Sequence, residues 1–191
     1  MTPTPPPLPA IILDPIVRLA LSEDLGRAGD LTTDATIAAG TQMSVVIAAR
    51  QPGVIAGLDV AAHALSLIDP TVRLEIHKGD GAAVKPGDIV AELNGSARSI
   101  LTAERTMLNF IGRLSAVATM TRAYVEKVAH TDATIVCTRK TTPGHRALEK
   151  RAVRCGGGTA HRYGLDDAVL IKDNHIAACD GSVALALERA K

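Results

Sequence analysis

The sequence predicts an α+β sandwich domain at the N-terminal end, followed by an α/β barrel domain that is incomplete in this chain. Short apolar runs separated by turns rich in Gly and Pro dominate the first half, which is typical of a largely antiparallel sheet. Beyond a long helical repeat, strand and helix patterns alternate, as in a parallel sheet or barrel. The C-terminal part has room for only about two or three β/α units of roughly 30 residues each.

These patterns predict three segments. Residues 1–12 are predicted to form an extended, proline-rich tail, because five of the first nine residues are prolines. Residues 13–112 form the sandwich domain, and residues 113–191 form the first part of the barrel domain.

Overall composition limits the class of protein. Hydrophobic residues make up 47% of the chain and charged residues 21%, as in a globular protein with a sizeable core. The longest run without Asp, Glu, Lys or Arg, residues 35–49, is shorter than the roughly 18 residues of a membrane span. The chain start also lacks the basic region of a secretory signal. We therefore expect a cytoplasmic protein without a membrane partner. Its three cysteines fit no disulfide or metal-binding spacing and are predicted to be reduced thiols.

Local signals place the elements of the first half in order. Asp14 and Pro15 predict the N-cap and the first position of a helix that ends near Asp24. The later elements are predicted as strands at 43–49 and 53–55, a helix at 58–68, a strand at 72–76, and a strand at 89–93 that ends in an Asn94-Gly95 turn.

The second half begins with a long helix. Thr102 is predicted to cap it, and apolar residues recur at helical spacing down to about Ala129. The elements that follow are predicted as a strand at 134–137, a helix at 146–155, a strand at 168–171 and a helix at 182–191.

Positive charge is concentrated between Arg139 and Lys172. This segment holds an excess of basic residues although the whole chain has a net charge of only +1. Such an excess indicates an anionic partner. A nucleic acid would also need stacking surfaces, and the chain has one Phe, two Tyr and no Trp. We therefore expect a small, multiply charged anion and no nucleic-acid partner.

Two polar groups directly follow predicted strands, where parallel α/β folds bind ligands. They are residues 138–140 (Thr-Arg-Lys) and residues 172–175 (Lys-Asp-Asn-His). Arginine offers a planar fork and lysine a point charge, so together they suit carboxylates and phosphates. Solvated loop cations are the alternative for any one of them. Asp173 and His175 could touch a metal, but no third ligand is evident and a structural role is preferred.

The glycine run at 156–158 is a weaker signal. It follows a predicted helix rather than a strand, so it supports neither a dinucleotide fingerprint nor a P-loop. It could fold the backbone tightly and aim His161 and Arg162 inward, or it could be a plain helix C-cap and turn.

Several ordered motifs together resemble the quinolinate phosphoribosyltransferase family. They are TRKTTPG at 138–144, GGG at 156–158, His161-Arg162, LIKDNH at 170–175, and, upstream, EDLG at 23–26, GDLTT at 29–33 and ERTMLNF at 104–110. The resemblance covers nearly the whole chain after the prolines. It implies transfer of the phosphoribosyl group of phosphoribosyl pyrophosphate to quinolinate with decarboxylation, giving nicotinate mononucleotide, pyrophosphate and CO2. It also implies Mg²⁺ bound with phosphoribosyl pyrophosphate.

The same resemblance assigns roles to individual residues. Quinolinate is expected to contact Thr138, Arg139, His161, Arg162 and Lys172. Lys140 matches the cation near the cosubstrate phosphates, and Lys140 and Lys172 are the expected catalytic residues. The resemblance implies a homodimer in which Arg105 reaches the active site of the neighbouring subunit, although its spacing alone indicates a solvated helix face.

The sequence also departs from the family pattern. Cys137 stands where Asp is usual, His145 where an apolar residue is common, and Ala160 where Asn is common. The family's later acidic positions, which help bind magnesium and cosubstrate, have no counterpart here, so we expect the chain to bind quinolinate more readily than it turns it over. The alternatives are a catalytically inactive or molybdenum-transport-associated relative, or a carrier-like domain suggested by the turns of residues 78–94.

Overall fold

The computed structural model describes residues 5–191, which fall into two compact units, one ending at Ala160 and the other spanning His161–Lys191. The elements are α1 (Ala10–Leu25), α2 (Leu31–Thr36), β1 (Gln42–Ala48), β2 (Gly53–Val54), α3 (Leu58–Ile68), β3 (Arg73–Ile76), β4 (Ala83–Val84), β5 (Ile89–Ser96), α4 (Ala97–Val128), α5 (Arg146–Cys155), α6 (Asp173–Ala177) and α7 (Val183–Arg189). Within the described residues, no helix combines the length and apolar character that crossing a membrane requires.

The sheets of the first unit are antiparallel, as predicted. Three strands pair in the order β1-β5-β3, and β2 pairs with β4. Along β1, Met43, Val45 and Ile47 are half-buried and pack against the core, while the residues between them are exposed. This alternation gives the sheet one core-facing side, as expected for a strand covered on one face.

The helices of the first unit cover that side. Helix α3 packs on α4 and on α1, and α5 packs on α4. The largest fully buried side chains are those of Val17, Leu58, Val60, Val90, Leu93, Met107 and Leu148. Since Leu148 of α5 belongs to the same apolar cluster as the sandwich residues, α5 is a fixed support for the loop that precedes it.

The predicted start of the first helix is wrong. Helix α1 begins at Ala10, so Asp14 and Pro15 lie inside it and residues 10–12 are helical rather than part of a tail. Helical geometry lets Asp14 accept a hydrogen bond from Arg18, one turn later, at 2.7 Å. It also places Leu13 in line with the buried residues of the next turns, and this burial outweighs the backbone bond that Pro15 removes. Residues 1–4 of the predicted tail lie outside the described residues.

The long helix also begins earlier than predicted. Ser96 caps α4, and its Oγ accepts from the N–H of Ser99 at 3.3 Å. Thr102 therefore lies within the helix, where its hydroxyl donates to Asp30. The predicted turn at Asn94-Gly95 is part of β5, because β1 and β3 both continue to pair with β5 beyond residue 93. Helix α4 passes through residue 112 without a break, and the domain division placed there stays a prediction.

The later helices agree with expectation better than the later strands do. Helix α5 has the predicted bounds, and α7 lies within its predicted range. The predicted strand at 134–137 is reduced to a single parallel bridge between Val136 and Thr159. The predicted strand at 168–171 is wrong: the segment has no strand conformation, and Val169 and Leu170 are exposed. A strand requires a ladder partner, and none is formed for it within the described residues.

Candidate substrate-binding site

The turn that follows the bridge at Val136 carries the first group of candidate residues. The hydroxyl of Thr138 accepts a hydrogen bond from the N–H of Lys140 at 3.0 Å, a local bond that tightens the turn. Lys140 is exposed and Arg139 is half-buried. Arg139 Nε is buried and has no hydrogen-bond partner among the described residues. The turn therefore presents two cations, one of which holds an unused donor.

Glu149 of α5 holds the next part of this loop. Its carboxylate accepts hydrogen bonds from Thr142 Oγ1 at 2.7 Å, from the Thr142 N–H at 3.2 Å and from Arg113 Nη2 at 2.9 Å. Burial by itself raises the pKa of Glu149, but the hydrogen bonds from Arg113 and Thr142 outweigh it and lower the pKa below its usual value. Glu149 is therefore an anion that joins α4, the loop and α5.

Two further residues of α5 reach the same loop. Lys150 is buried, and its Nζ lies 2.9 Å from the Sγ of Cys137. Cys137 is one of the residues at which the sequence departs from the family pattern. Arg146 donates from Nε to the hydroxyl of Thr141 at 3.3 Å. The loop is thus attached to α5 before and after the cationic turn.

The glycine run returns the chain to the beginning of this loop. A Cβ on Gly156 would lie 2.3 Å from the carbonyl oxygen of Ala118, so only glycine allows α5 to end this close to α4. The following turn brings Thr159 beside the bridge strand, where its N–H donates to Ile135 and its carbonyl accepts from Cys137. The run therefore serves both as a helix end and as a close-packing turn.

The second group of candidate residues lies in the unit His161–Lys191. His161 and Lys172 are exposed, and Arg162 donates from Nη1 to the carbonyl of Ala168 at 2.8 Å. Lys172 precedes α6, and its N–H donates to His175 Nδ1 at 3.1 Å. These residues share one unit with each other but not with Thr138, Arg139 and Lys140, and their joint action on one ligand stays a prediction.

Asp173 and His175 are used for local hydrogen bonds. Asp173 Oδ1 accepts from the N–H of Asn174, and His175 Nδ1 accepts from the residue before the helix. Across the described residues, no group of three or more His, Cys, Asp and Glu side chains could hold a metal ion.

Arg105 is exposed on α4 and lines a cavity of about 300 Å³ together with Asp24, Gly29 and Asp30. Asp30 caps α2 by accepting from the Thr33 N–H at 3.0 Å. Hydrogen bonds, chiefly those from Thr33, lower the pKa of Asp30. The cavity therefore contains an arginine and carboxylates from two of the motifs that carry the resemblance.

A second cavity, of about 270 Å³, lies one to two helical turns further along α4. Asn109, Arg113 and His145 line it, together with Glu23 from α1. The ring of His145 stands 5.9 Å from that of Phe110. Arg113 thus links this cavity to the Glu149 network.

The charged residues of α5 that organise the site were not among the predicted site residues. Glu149, Lys150 and Arg151 are consecutive and all are buried. A short helix with few large apolar residues, packed between other elements, must bury some polar ones. This composition was the available sequence signal, but it does not identify the partners, and the carboxylates that Arg151 contacts lie 92 and 71 residues away along the chain.

The described residues form antiparallel sheets packed by helices, followed by a cation-bearing loop and further helices. The sequence profile of the quinolinate phosphoribosyl transferase N-terminal domain matches residues 30–115, and that of the C-terminal domain matches residues 117–191. The chain belongs to the quinolinate phosphoribosyltransferase family. The predicted fold class is thereby confirmed.

Individual relatives agree with this assignment. The chain is 46% identical over 180 residues to a probable carboxylating nicotinate-nucleotide pyrophosphorylase of Synechocystis sp., covering 94% of this chain and 60% of the relative. It is 48% identical over 176 residues to the carboxylating nicotinate-nucleotide pyrophosphorylase of Mycobacterium leprae, covering 90% and 61%. The chain therefore spans about three fifths of the length of these relatives.

Solved structures show the same fold. The crystal structure of NadC from Streptococcus pyogenes superposes with a TM-score of 0.92 at 42% identity, covering 97% of this chain and 65% of that one. The nicotinate-nucleotide pyrophosphorylase from Francisella tularensis superposes with a TM-score of 0.90 at 39% identity, covering 96% and 64%.

Proposed function

We propose that this protein transfers the phosphoribosyl group of phosphoribosyl pyrophosphate to quinolinate, with loss of CO2, to give nicotinate mononucleotide and pyrophosphate in NAD biosynthesis. The observation that carries the proposal is the turn of Thr138, Arg139 and Lys140, with its buried unused donor at Arg139 Nε, in a chain of this family.

The proposed division of labour follows from the charges of the substrates. Quinolinate has two carboxylates, and Arg139, Arg162 and Lys172 bind them, with Thr138 and His161 beside these cations. Forked arginine donors match carboxylates in a bidentate way. Lys140 and Lys172 are the catalytic residues in this proposal, and Lys140 acts as a point charge near the cosubstrate phosphates.

The proposed reaction has two balanced steps. The quinolinate nitrogen attacks C1 of the ribose, the C1–O bond breaks, and pyrophosphate leaves with that electron pair. The ring nitrogen is then cationic and stabilises the electron pair that the breaking bond to the 2-carboxylate leaves on C2, and C2 takes up a proton with that pair as CO2 departs. Cations of this chain orient the reactants and offset their negative charge, which lowers the barrier to the first step.

Magnesium enters this proposal only as an ion bound by the cosubstrate. The described residues supply no group of three potential ligands, so the residues present do not form a metal site, and no step is assigned to the ion.

A homodimer is part of the same proposal. Arg105 is exposed on α4 and is available to reach the active site of a neighbouring subunit, as the family resemblance implies. We also propose a cytoplasmic location, where nucleotide substrates occur, and no nucleic-acid partner.

Isothermal titration calorimetry with quinolinate and nicotinate tests the substrate assignment. Quinolinate should bind at least about tenfold more tightly, because a second carboxylate adds charge-assisted hydrogen bonds. Equal affinity for the two acids would contradict the proposal, and the absence of quinolinate binding would favour an inactive or transport-associated relative.

A further inference from the structure

We propose that Glu149 is a positioning residue that acts through Thr142 to fix the turn carrying Arg139 and Lys140. This inference deepens the proposed function and rests on it for its substrate. The bonds of Glu149 that carry the argument go to Thr142, the residue two positions after that turn.

The contact between Glu149 and Thr142 fixes backbone as well as side chain. Oε2 of Glu149 accepts the backbone N–H of Thr142 at 3.2 Å, and Oε1 accepts its hydroxyl at 2.7 Å. Two bonds to one residue define both its place and its orientation. Thr142 follows Lys140 by only two residues, so its position restricts the path of the cationic turn.

Arg113 adds a third element to this junction. Its Nη2 lies 2.9 Å from both Glu149 Oε1 and Thr142 Oγ1. The guanidinium is more than half exposed, whereas the Glu149 side chain is 9% exposed. Solvent weakens an exposed ion pair, so the two part-buried bonds between Glu149 and Thr142 carry most of the constraint.

The buried donor of Arg139 shows why the turn needs to be held. Nε has no partner among the described residues, and a buried donor without an acceptor is unfavourable. A free loop would relax until that N–H met water or a carbonyl group. The bonds from Glu149 oppose this relaxation, which leaves the donor available to an incoming carboxylate.

Matched variants of Thr142 separate positioning from general stability. Thr142→Val removes the hydroxyl with little change of shape, and Thr142→Ser keeps it. We expect Thr142→Val and Glu149→Gln to raise the Kd for quinolinate by about tenfold and Thr142→Ser to restore it to within about twofold. In the Thr142→Val/Glu149→Gln double variant the increases should not add. Thr41→Val, which removes an exposed hydroxyl bond to the Ala38 carbonyl about 100 residues before the loop, should leave the Kd unchanged.

Amide hydrogen exchange of residues 138–142 supplies a readout that needs no substrate. Exchange should be faster in Thr142→Val and Glu149→Gln than in the wild type and Thr142→Ser. Wild-type Kd values and wild-type exchange in both variants, whatever their melting temperatures, would overturn the inference. If the wild-type protein binds no quinolinate, the proposed function fails, and the exchange rates alone then decide whether Glu149 positions the turn.

Discussion

Arg151 of α5 offers the sharpest test of how the first unit is held together. Its guanidinium is 8% exposed and Nη1 donates to the carboxylates of Asp59 and Asp80, which are themselves 12% and 5% exposed. Its Nε also donates to the carbonyl of Pro6 at 3.0 Å. Arg151→Met keeps an unbranched apolar side chain in the same place and removes every one of these donors.

The expected cost is large because the buried carboxylate of Asp80 and the half-buried carboxylate of Asp59 both lose this partner. Removing one partner of a buried ion pair destabilises a protein by about 3–5 kcal/mol. Asp80 keeps a bond from the Leu58 N–H at 3.1 Å and Asp59 keeps one from the Leu8 N–H at 3.1 Å. Those bonds compensate only part of the lost charge. A loss of this size is a substantial part of the roughly 5–15 kcal/mol that stabilises a typical domain.

Urea unfolding followed by circular dichroism measures this cost. Arg154→Met, an exposed position on the same helix, is the matched control and should change the free energy of unfolding by no more than about 0.5 kcal/mol. Adding Asp80→Asn to Arg151→Met should recover part of the lost free energy of unfolding, because one buried charge without a partner is then removed. A loss below about 1 kcal/mol in Arg151→Met would refute the reasoning.

Three further predictions concern packing, pH and assembly. Gly156→Ala should lower the free energy of unfolding by about 1–3 kcal/mol, since its Cβ would overlap the carbonyl of Ala118. Gly112→Ala, with open space around it on α4, should raise the free energy of unfolding by about 0.5–1 kcal/mol in the same assay. The pKa of Glu149 is lowered in the folded protein, so its contribution to the free energy of unfolding is complete above the unfolded pKa near 4.5 and is lost as pH falls through the lower folded pKa. Glu149→Gln should therefore flatten the dependence of stability on pH in that range, and an unchanged dependence would contradict this. Under the proposed function and homodimer, in a chain that spans the full length of the relatives, mixing inactive Arg105→Ala and Lys172→Ala chains should restore about a quarter of the active sites after random subunit exchange. No recovery despite exchange would show that Arg105 does not act in trans.

Local sequence signals were sufficient for several elements. Helices α3 and α5 have their predicted bounds, because turn residues and helical periodicity define them within the segment itself. The helix starts at Ala10 and Ala97 were missed. Asp14 and Thr102 are good capping residues, but in the folded protein they bond to Arg18 and Asp30 instead.

The candidate site could likewise be predicted only in part from the sequence. The cationic turn could be found from its position after a predicted strand, although that strand is only one bridge at Val136. Glu149 could not, because residue types do not show that its carboxylate accepts hydrogen bonds from Thr142, seven residues earlier, and from Arg113, 36 residues earlier. A pattern of residue types shows which cations are available to a ligand. It does not show which carboxylate holds them in place.

The most direct test of the central claim is the affinity of Arg139→Ala and Arg162→Ala for quinolinate, measured by calorimetry against the exposed control Arg154→Ala. Each of the first two variants loses a charged hydrogen-bond donor worth about 1.5–3 kcal/mol, so the Kd should rise at least about tenfold, while the control should bind as the wild type does. Affinities within twofold of the wild type in both Arg139→Ala and Arg162→Ala would contradict the assignment of these arginines to the substrate carboxylates.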